Sequence, residues 1–170
     1  MPMSPKSTGT KRLRTKAGAG QPGRCFARSL PMLLMRAREV LMMRFRPHLR
    51  SHDITEQQWR ILRVLAEQKR ADMFELSQLC IIQPSSLSRI IPLLVSRGLL
   101  CRKGDRKDQR RVLVSLTPKG QSLFRIMSAE SAKIYARLEA DITATRLAEI
   151  YRVLDYLIAD YKLGEIEAAE

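Results

Sequence analysis

Cysteine, histidine and aromatic residues are scarce in this 170-residue chain, which has three Cys, two His, four Phe, four Tyr and one Trp. The cysteines, Cys25, Cys80 and Cys101, are odd in number and lack CxxC spacing, and only His48 and His52 stand near them. Neither a disulfide framework nor a zinc finger is therefore expected. So few rings also exclude the stacking platform of single-strand nucleic-acid binders. There is no glycine-rich phosphate loop, nucleophile motif or metal-ligand cluster, which leaves an enzyme, or any cofactor, without support. No window reaches the ~18 to 20 apolar residues of a membrane span. The best run, Pro31-Met32-Leu33-Leu34-Met35, is soon followed by Arg36 and Arg38. The basic N-terminus lacks the apolar stretch and cleavage site of a secretory signal, so the cytoplasm is the expected compartment and no membrane the expected partner.

Apolar residues and positive charge are plentiful. At 45% hydrophobic the chain can bury a core, which excludes global disorder. Lys and Arg number 31 against 17 Asp and Glu, a net charge of +14. That charge is uneven: +7 in residues 1–28, +3 in 29–75, +8 in 76–125 and −4 in 126–170. The first block, rich in Ser, Thr, Gly, Pro and Lys without hydrophobic period, reads as a disordered basic tail, either a solubilising extension or an arm along DNA. The block at 76–125 lies inside the folded part and points to a polyanion partner.

Helical periodicity begins at Ser29. Leu30, Leu33, Leu34, Ala37, Leu41 and Phe45 form one amphipathic helix to about Arg50, with Ser29 as N-cap, Pro31 in the first turn, and Pro47 expected to kink or end it. Arg44 projects inside the apolar arc, where a charge needs a partner. A second helix starts near Thr55 and carries Trp59, Ile61, Leu62, Leu65 and Ala66. A third opens at the Asp72-Met73-Phe74-Glu75 capping box, with Leu76, Leu79 and Cys80 as its inner face. After the turn Ile81-Ile82-Gln83, Pro84 starts a fourth helix that runs to about Arg97 and stops at Gly98.

The third and fourth helices form a helix-turn-helix, whose second helix enters the major groove of DNA. Burying Leu87, Ile90 or Ile91, and Leu94 leaves Gln83, Ser85, Ser86, Ser88 and Arg89 on the open side, all types that contact bases and phosphates. A helical hairpin with a solvated polar face is the plainer alternative. Leu99–Lys103 and Arg111–Thr117 then read as strands around the polar loop 104–110, a hairpin wing with Arg106, Lys107, Arg110 and Arg111 at its tip. Inserted arginines suit a narrow minor groove, and Asp108 is placed to orient Arg110. Thr117-Pro118 opens a fifth helix and Thr143 a sixth, with apolar stripes broad enough to need cover from another copy.

This order of elements resembles the MarR family of bacterial regulators over about residues 29–162. The resemblance rests on Ile54-Thr55-Glu56-Gln57-Gln58-Trp59, on Pro84-Ser85-Ser86-Leu87-Ser88-Arg89, and on Asp108-Gln109-Arg110 before Val112-Leu113-Val114-Ser115-Leu116-Thr117-Pro118-Lys119-Gly120. The stretch from Arg36 to Pro47 is similar to the branch that holds the homoprotocatechuate-operon repressors. The resemblance implies a mainly α fold with a small β-hairpin wing, a winged helix-turn-helix between long dimerisation helices. The divisions are a tail at 1–28, a dimerisation helix at 29–54, the DNA-binding domain at 55–117 and C-terminal dimerisation helices at 118–170.

It further implies a homodimer on a pseudo-palindrome in duplex DNA, with Ser86, Ser88 and Arg89 in the major groove and Arg110 in the minor groove. Pro92, inside the recognition helix, departs from that pattern. A small aromatic carboxylic acid, of hydroxyphenylacetate, hydroxycinnamate or hydroxypyridine-carboxylate type, is implied as effector. Arg44 would pair with its carboxylate, Trp59 would stack on its ring, and Ser29 and His48 would add hydrogen bonds. Arg44 paired with a protein acid and Trp59 in the core is the alternative. Two other classes stay open: a redox sensor through Cys25, flanked by Arg24 and Arg28, and a non-specific nucleic-acid binder.

Overall fold

The computed structural model describes residues 28–104 and 111–160. Their order is α1 (Leu30–Ser51), α2 (Glu56–Gln68), β1 (Arg70–Ala71), α3 (Met73–Cys80), α4 (Pro84–Ser96), β2 (Leu100–Gly104), β3 (Val112–Leu116), α5 (Pro118–Ile142) and α6 (Ala144–Asp160). The described residues fall into two units, one ending at Arg38 and the other beginning at Glu39. The mainly α architecture with a wing is as the sequence leads one to expect.

Capping chemistry sets the helix starts. Thr55 and Gln58 form a reciprocal capping box at α2, as Asp72 and Glu75 do at α3, and the Thr117 side chain accepts from the Gly120 N–H at α5. Gly98, at φ +70°, lets the chain leave α4 without the penalty a Cβ brings in that region. Proline is tolerated where sequence reasoning expected trouble. Helix α1 continues past Pro47 to Ser51, and α4 runs through Pro92, which is exposed, to Ser96.

One core joins α2 (Ile61, Leu62, Leu65), α3 (Leu76, Cys80), α4 (Leu87, Ile91, Leu94), the sheet (Leu100, Val114) and Met127 of α5. Each such aliphatic side chain contributes roughly 1.5–3 kcal/mol by leaving water. The sheet has three antiparallel strands in the order β1-β3-β2, with Ala71 opposite Val114 and Leu100 opposite Leu116. Strand β1 is absent from the sequence reading because two residues carry no period. Leu79, expected on the inner face of α3, is 53% exposed, because Leu76 and Cys80, one turn apart, already fill the buried arc.

At the other extreme, no described residue of α6 is buried, and Ile150, Tyr151, Val153, Tyr156 and Ile158 are exposed. Helix α1 likewise exposes Leu30, Leu33, Leu34, Met35, Val40, Leu41 and Met43. No single described helix is long and apolar enough to cross a membrane.

Candidate nucleic-acid interface and ligand pocket

Helices α3 and α4 are bent by 108° at the short break between them, within the range of a helix-turn-helix. Ile81 closes α3 in the left-handed region, at φ 51° and ψ 58°, and its N–H reaches the carbonyls of Ser77 and Gln78. Ser77 Oγ donates to the Ile82 carbonyl at 2.8 Å. From α2, Arg60 donates to the carbonyls of Cys80 at 2.5 Å and Ile81 at 3.2 Å. Sequence reasoning missed this clamp, because Arg60 and the turn are 20 residues apart.

With Leu87, Ile91 and Leu94 buried, α4 exposes Gln83, Ser85, Ser88 and Arg89, while Ser86 is half-buried. Gln83 makes no side-chain cap, which leaves its amide uncommitted to the helix. Ser88 Oγ donates to the Pro84 carbonyl at 2.8 Å and keeps its lone pairs as acceptors. Arg89 has no carboxylate partner among the described residues.

Arg106, Lys107, Asp108 and Arg110 lie outside the described residues. Arg111 is described, at the foot of the wing. Its Nε donates to Asp72 Oδ2 at 2.9 Å, and its Nη2 reaches Asp72 and also Glu75 Oε1, the latter at 3.2 Å. Rather than reaching outward from a tip, this guanidinium fastens β3 to the N-terminus of α3. The Glu75 N–H and then Arg111 hold the Asp72 carboxyl below its ordinary value, against the effect of burial.

Three of the four expected ligand residues have protein partners of their own. Arg44 is ion-paired with Asp141 of α5 at 2.6 Å. Trp59 is 7% exposed and stacks on Phe124 with ring centroids 5.5 Å apart, so it belongs to the core. His48 faces Ser131 and Glu130 of α5. Ser29 belongs to the unit that ends at Arg38.

Two residues that sequence reasoning passed over do meet. Arg63 Nη1 lies 3.3 Å from the Tyr135 hydroxyl, and the Tyr135 ring sits 4.9 Å from Phe45. Arg44, Arg46 and Arg111 each have a carboxylate within 4 Å, whereas Arg63 has none among the described residues. The spacing of Trp59 and Arg63, one turn apart on α2, was the available signal. A separate cleft among Arg46, Arg50, Asp53 and Glu56, at the junction of α1 and α2, takes in none of these.

Of the cysteines, Cys25 lies outside the described residues. Burial pushes the Cys80 thiol up to about 11, outweighing the nearby Arg60 charge, and Cys101 Sγ lies 3.1 Å from Ser115 Oγ.

Known proteins resemble this chain in both sequence and fold. Residues 52–111 match the MarR family. The homoprotocatechuate degradative operon repressor of Escherichia coli is 38% identical over 132 residues, spanning 77% of this chain and 88% of that protein. Among solved structures, the transcriptional regulator PA4135 superposes with a TM-score of 0.73 at 38% identity, covering 76% of this chain and 95% of that one. NadR, in complex with 4-hydroxyphenylacetate, superposes with a TM-score of 0.70 at 34% identity, covering 81% of this chain and 97% of its own.

Proposed function

Because the chain belongs to the MarR family of transcriptional regulators, we propose that it is a homodimeric repressor of a pseudo-palindromic duplex operator, released by a small aromatic carboxylic acid. Gln83, Ser85, Ser86, Ser88 and Arg89 read the major groove from α4. Arg106, Lys107 and Arg110 enter the minor groove, with Asp108 directing Arg110. Arg111, tied to Asp72 and Glu75, anchors the wing that carries them. The apolar faces of α1 and α6 are covered by the second copy, which sets two recognition helices roughly 34 Å apart.

For the effector, Arg63 and Tyr135 are better placed than Arg44. The observation that carries this reading is the Arg63 guanidinium, whose bond at 3.3 Å goes to a neutral phenol beside the Phe45 ring. A carboxylate there gives Arg63 a charge-assisted bond, roughly twice as strong as a neutral one, and the acid's ring gains aromatic neighbours. An acid at Arg44 would first have to displace Asp141. The 4-hydroxyphenylacetate held by NadR supports the same ligand class, as does the homoprotocatechuate degradative operon that gives the E. coli relative its name. To release DNA, the acid must bind one spacing of the reading heads better than the other, a coupling of typically 1–3 kcal/mol.

Calorimetric titration of the full chain with 4-hydroxyphenylacetate tests the assignment. Hydrogen bonds to a charged group contribute about 1.5–3 kcal/mol, so Arg63→Ala is expected to weaken binding at least roughly tenfold. Arg44→Ala is expected to leave it within a few-fold. Unchanged binding in Arg63→Ala, or loss confined to Arg44→Ala, would overturn the assignment.

A further inference from the structure

Three ligand-type side chains converge at the end of α1. His48 Nδ1 lies 2.6 Å and His52 Nε2 3.2 Å from the same oxygen, Glu130 Oε2 of α5, and one ligand atom from each residue lies within 4.8 Å of the others. The two histidines are four residues apart, the spacing that brings side chains to one helix face. The His48 side chain is 7% exposed, and its Nε2 meets Ser131 Oγ at 3.2 Å. With Nε2–H donating to that hydroxyl, Nδ1 turns a lone pair toward the carboxylate. Nδ1 is buried and makes no hydrogen bond, so its approach to Glu130 is close but not aligned as one. Two acceptors facing each other at that distance repel unless a cation lies between them. A proton relieves one such contact, as it does in the hydrogen bond between His52 and Glu130, whereas three ligand atoms within 4.8 Å of one another suit an ion with several coordination positions.

We propose that His48, His52 and Glu130 bind a divalent transition-metal ion of the zinc class, with water in the fourth position. Two imidazoles and one carboxylate are a borderline-hard set that matches this class. Metal–ligand bonds of about 2.0–2.2 Å place tetrahedral ligand atoms roughly 3.3 Å apart. The 3.2 Å between His52 and Glu130 already meets that spacing. The His48 contact has to open by less than about 1 Å on the same geometry, through rotation of a Glu130 side chain that is 46% exposed, and the two imidazole nitrogens, within 4.8 Å of each other, have to close by up to roughly 1.5 Å. Ser131 is the outer partner, its hydroxyl accepting from His48 Nε2–H when Nδ1 holds the ion. The sequence shows no metal spacing because Glu130 lies 78 residues beyond His52. The ion ties the end of α1 to α5 one turn from Tyr135.

Titration of the chelator-treated full chain with Co(II) alone, then with Zn(II), tests the site. One Co(II) per chain is expected, with visible d–d bands, no thiolate charge-transfer absorption, and displacement by Zn(II). His52→Gln and Glu130→Gln should each weaken Co(II) binding beyond the roughly 10- to 100-fold typical of an outer-shell loss, and Ser131→Ala should fall within that range. Circular dichroism of the variants should match the parent chain. Absence of binding at neutral pH would leave a proton as the occupant and overturn the proposal. Thiolate bands, or binding that survives both Gln variants in a folded chain, would assign the ion to the cysteines or the tail and equally overturn it.

Discussion

Replacing Gly120 by alanine should destabilise the fold, although alanine is the better helix former. Gly120 lies buried in the first turn of α5, and a Cβ there would sit 2.1 Å from the Leu99 carbonyl oxygen, 3.1 Å from its carbon and 3.3 Å from Leu116 Cδ2. The nearest of these is backbone, which cannot swing aside. That oxygen also accepts from the Thr117 N–H at 3.0 Å and from Thr117 Oγ1 at 3.2 Å. An ordinary C···O approach is about 3.3 Å, so the helix must retreat by about 1 Å and strain both bonds. Helix propensity favours alanine by about 1 kcal/mol. Overpacking costs about 1–3 kcal/mol and each lost hydrogen bond about 1 kcal/mol. A net loss of about 1–3 kcal/mol follows, read as a lower urea midpoint at fixed protein concentration. Gly98→Ala is the control, because its Cβ meets only Lys119 Cδ at 3.8 Å and it loses only its φ of +70°; the left-handed penalty there is about 1 kcal/mol. A Gly120→Ala chain as stable as the parent would refute the close packing of α5 on Leu99.

Ile81→Gly should raise stability by up to about 1 kcal/mol, because it relieves a β-branched residue held in the left-handed region. Little burial is lost, as Ile81 is 69% exposed; a lowered urea midpoint would count against it. Asp72→Asn keeps the cap, since Asn accepts from the Glu75 N–H as Asp does, and should cost no more than about 1 kcal/mol at neutral pH through the weakened bond to Arg111. Because the folded carboxyl titrates below its ordinary 3.8, the stability it contributes is full above that value and lost as pH falls through the lower folded value. The variant's acid limb should therefore be flatter, and an identical limb would mean that the carboxylate is not held. Cys80, with its thiol pushed up to about 11 by burial, should be alkylated at neutral pH only as fast as the chain opens. Prompt labelling of Cys80 in a peptide map would contradict that burial. Arg89→Ala should weaken operator binding and, if Arg89 meets a phosphate, lower the salt slope by about one; unchanged affinity would remove it from the interface.

What was legible in the sequence was local. The starts of α2, α3 and α5 follow from Thr55, Asp72 and Thr117, whose caps act within three residues, and the inner face of α4 follows from the spacing of Leu87, Ile91 and Leu94. Pairings across long separations were not legible. Arg44 meets Asp141 97 residues on, and Arg63 meets Tyr135 72 residues on, so periodicity says only that a charge needs a partner and not which one. The same limit put Arg111 among the wing-tip charges, when its direction depends on the foot of the wing facing α3. For Trp59 a ligand-stacking surface and a place in the core both stayed open in the sequence, because its neighbour Phe124 comes from another helix.

The most direct test is selection on random duplex DNA, followed by anisotropy titration of the selected site with and without 4-hydroxyphenylacetate and related aromatic acids. The expected result is a pseudo-palindrome with half-sites one helical turn apart, bound by two chains, with an acid weakening binding roughly 5- to 150-fold. A salt-sensitive affinity without sequence preference, or a selected site that no aromatic acid in the panel releases, would contradict a ligand-responsive repressor.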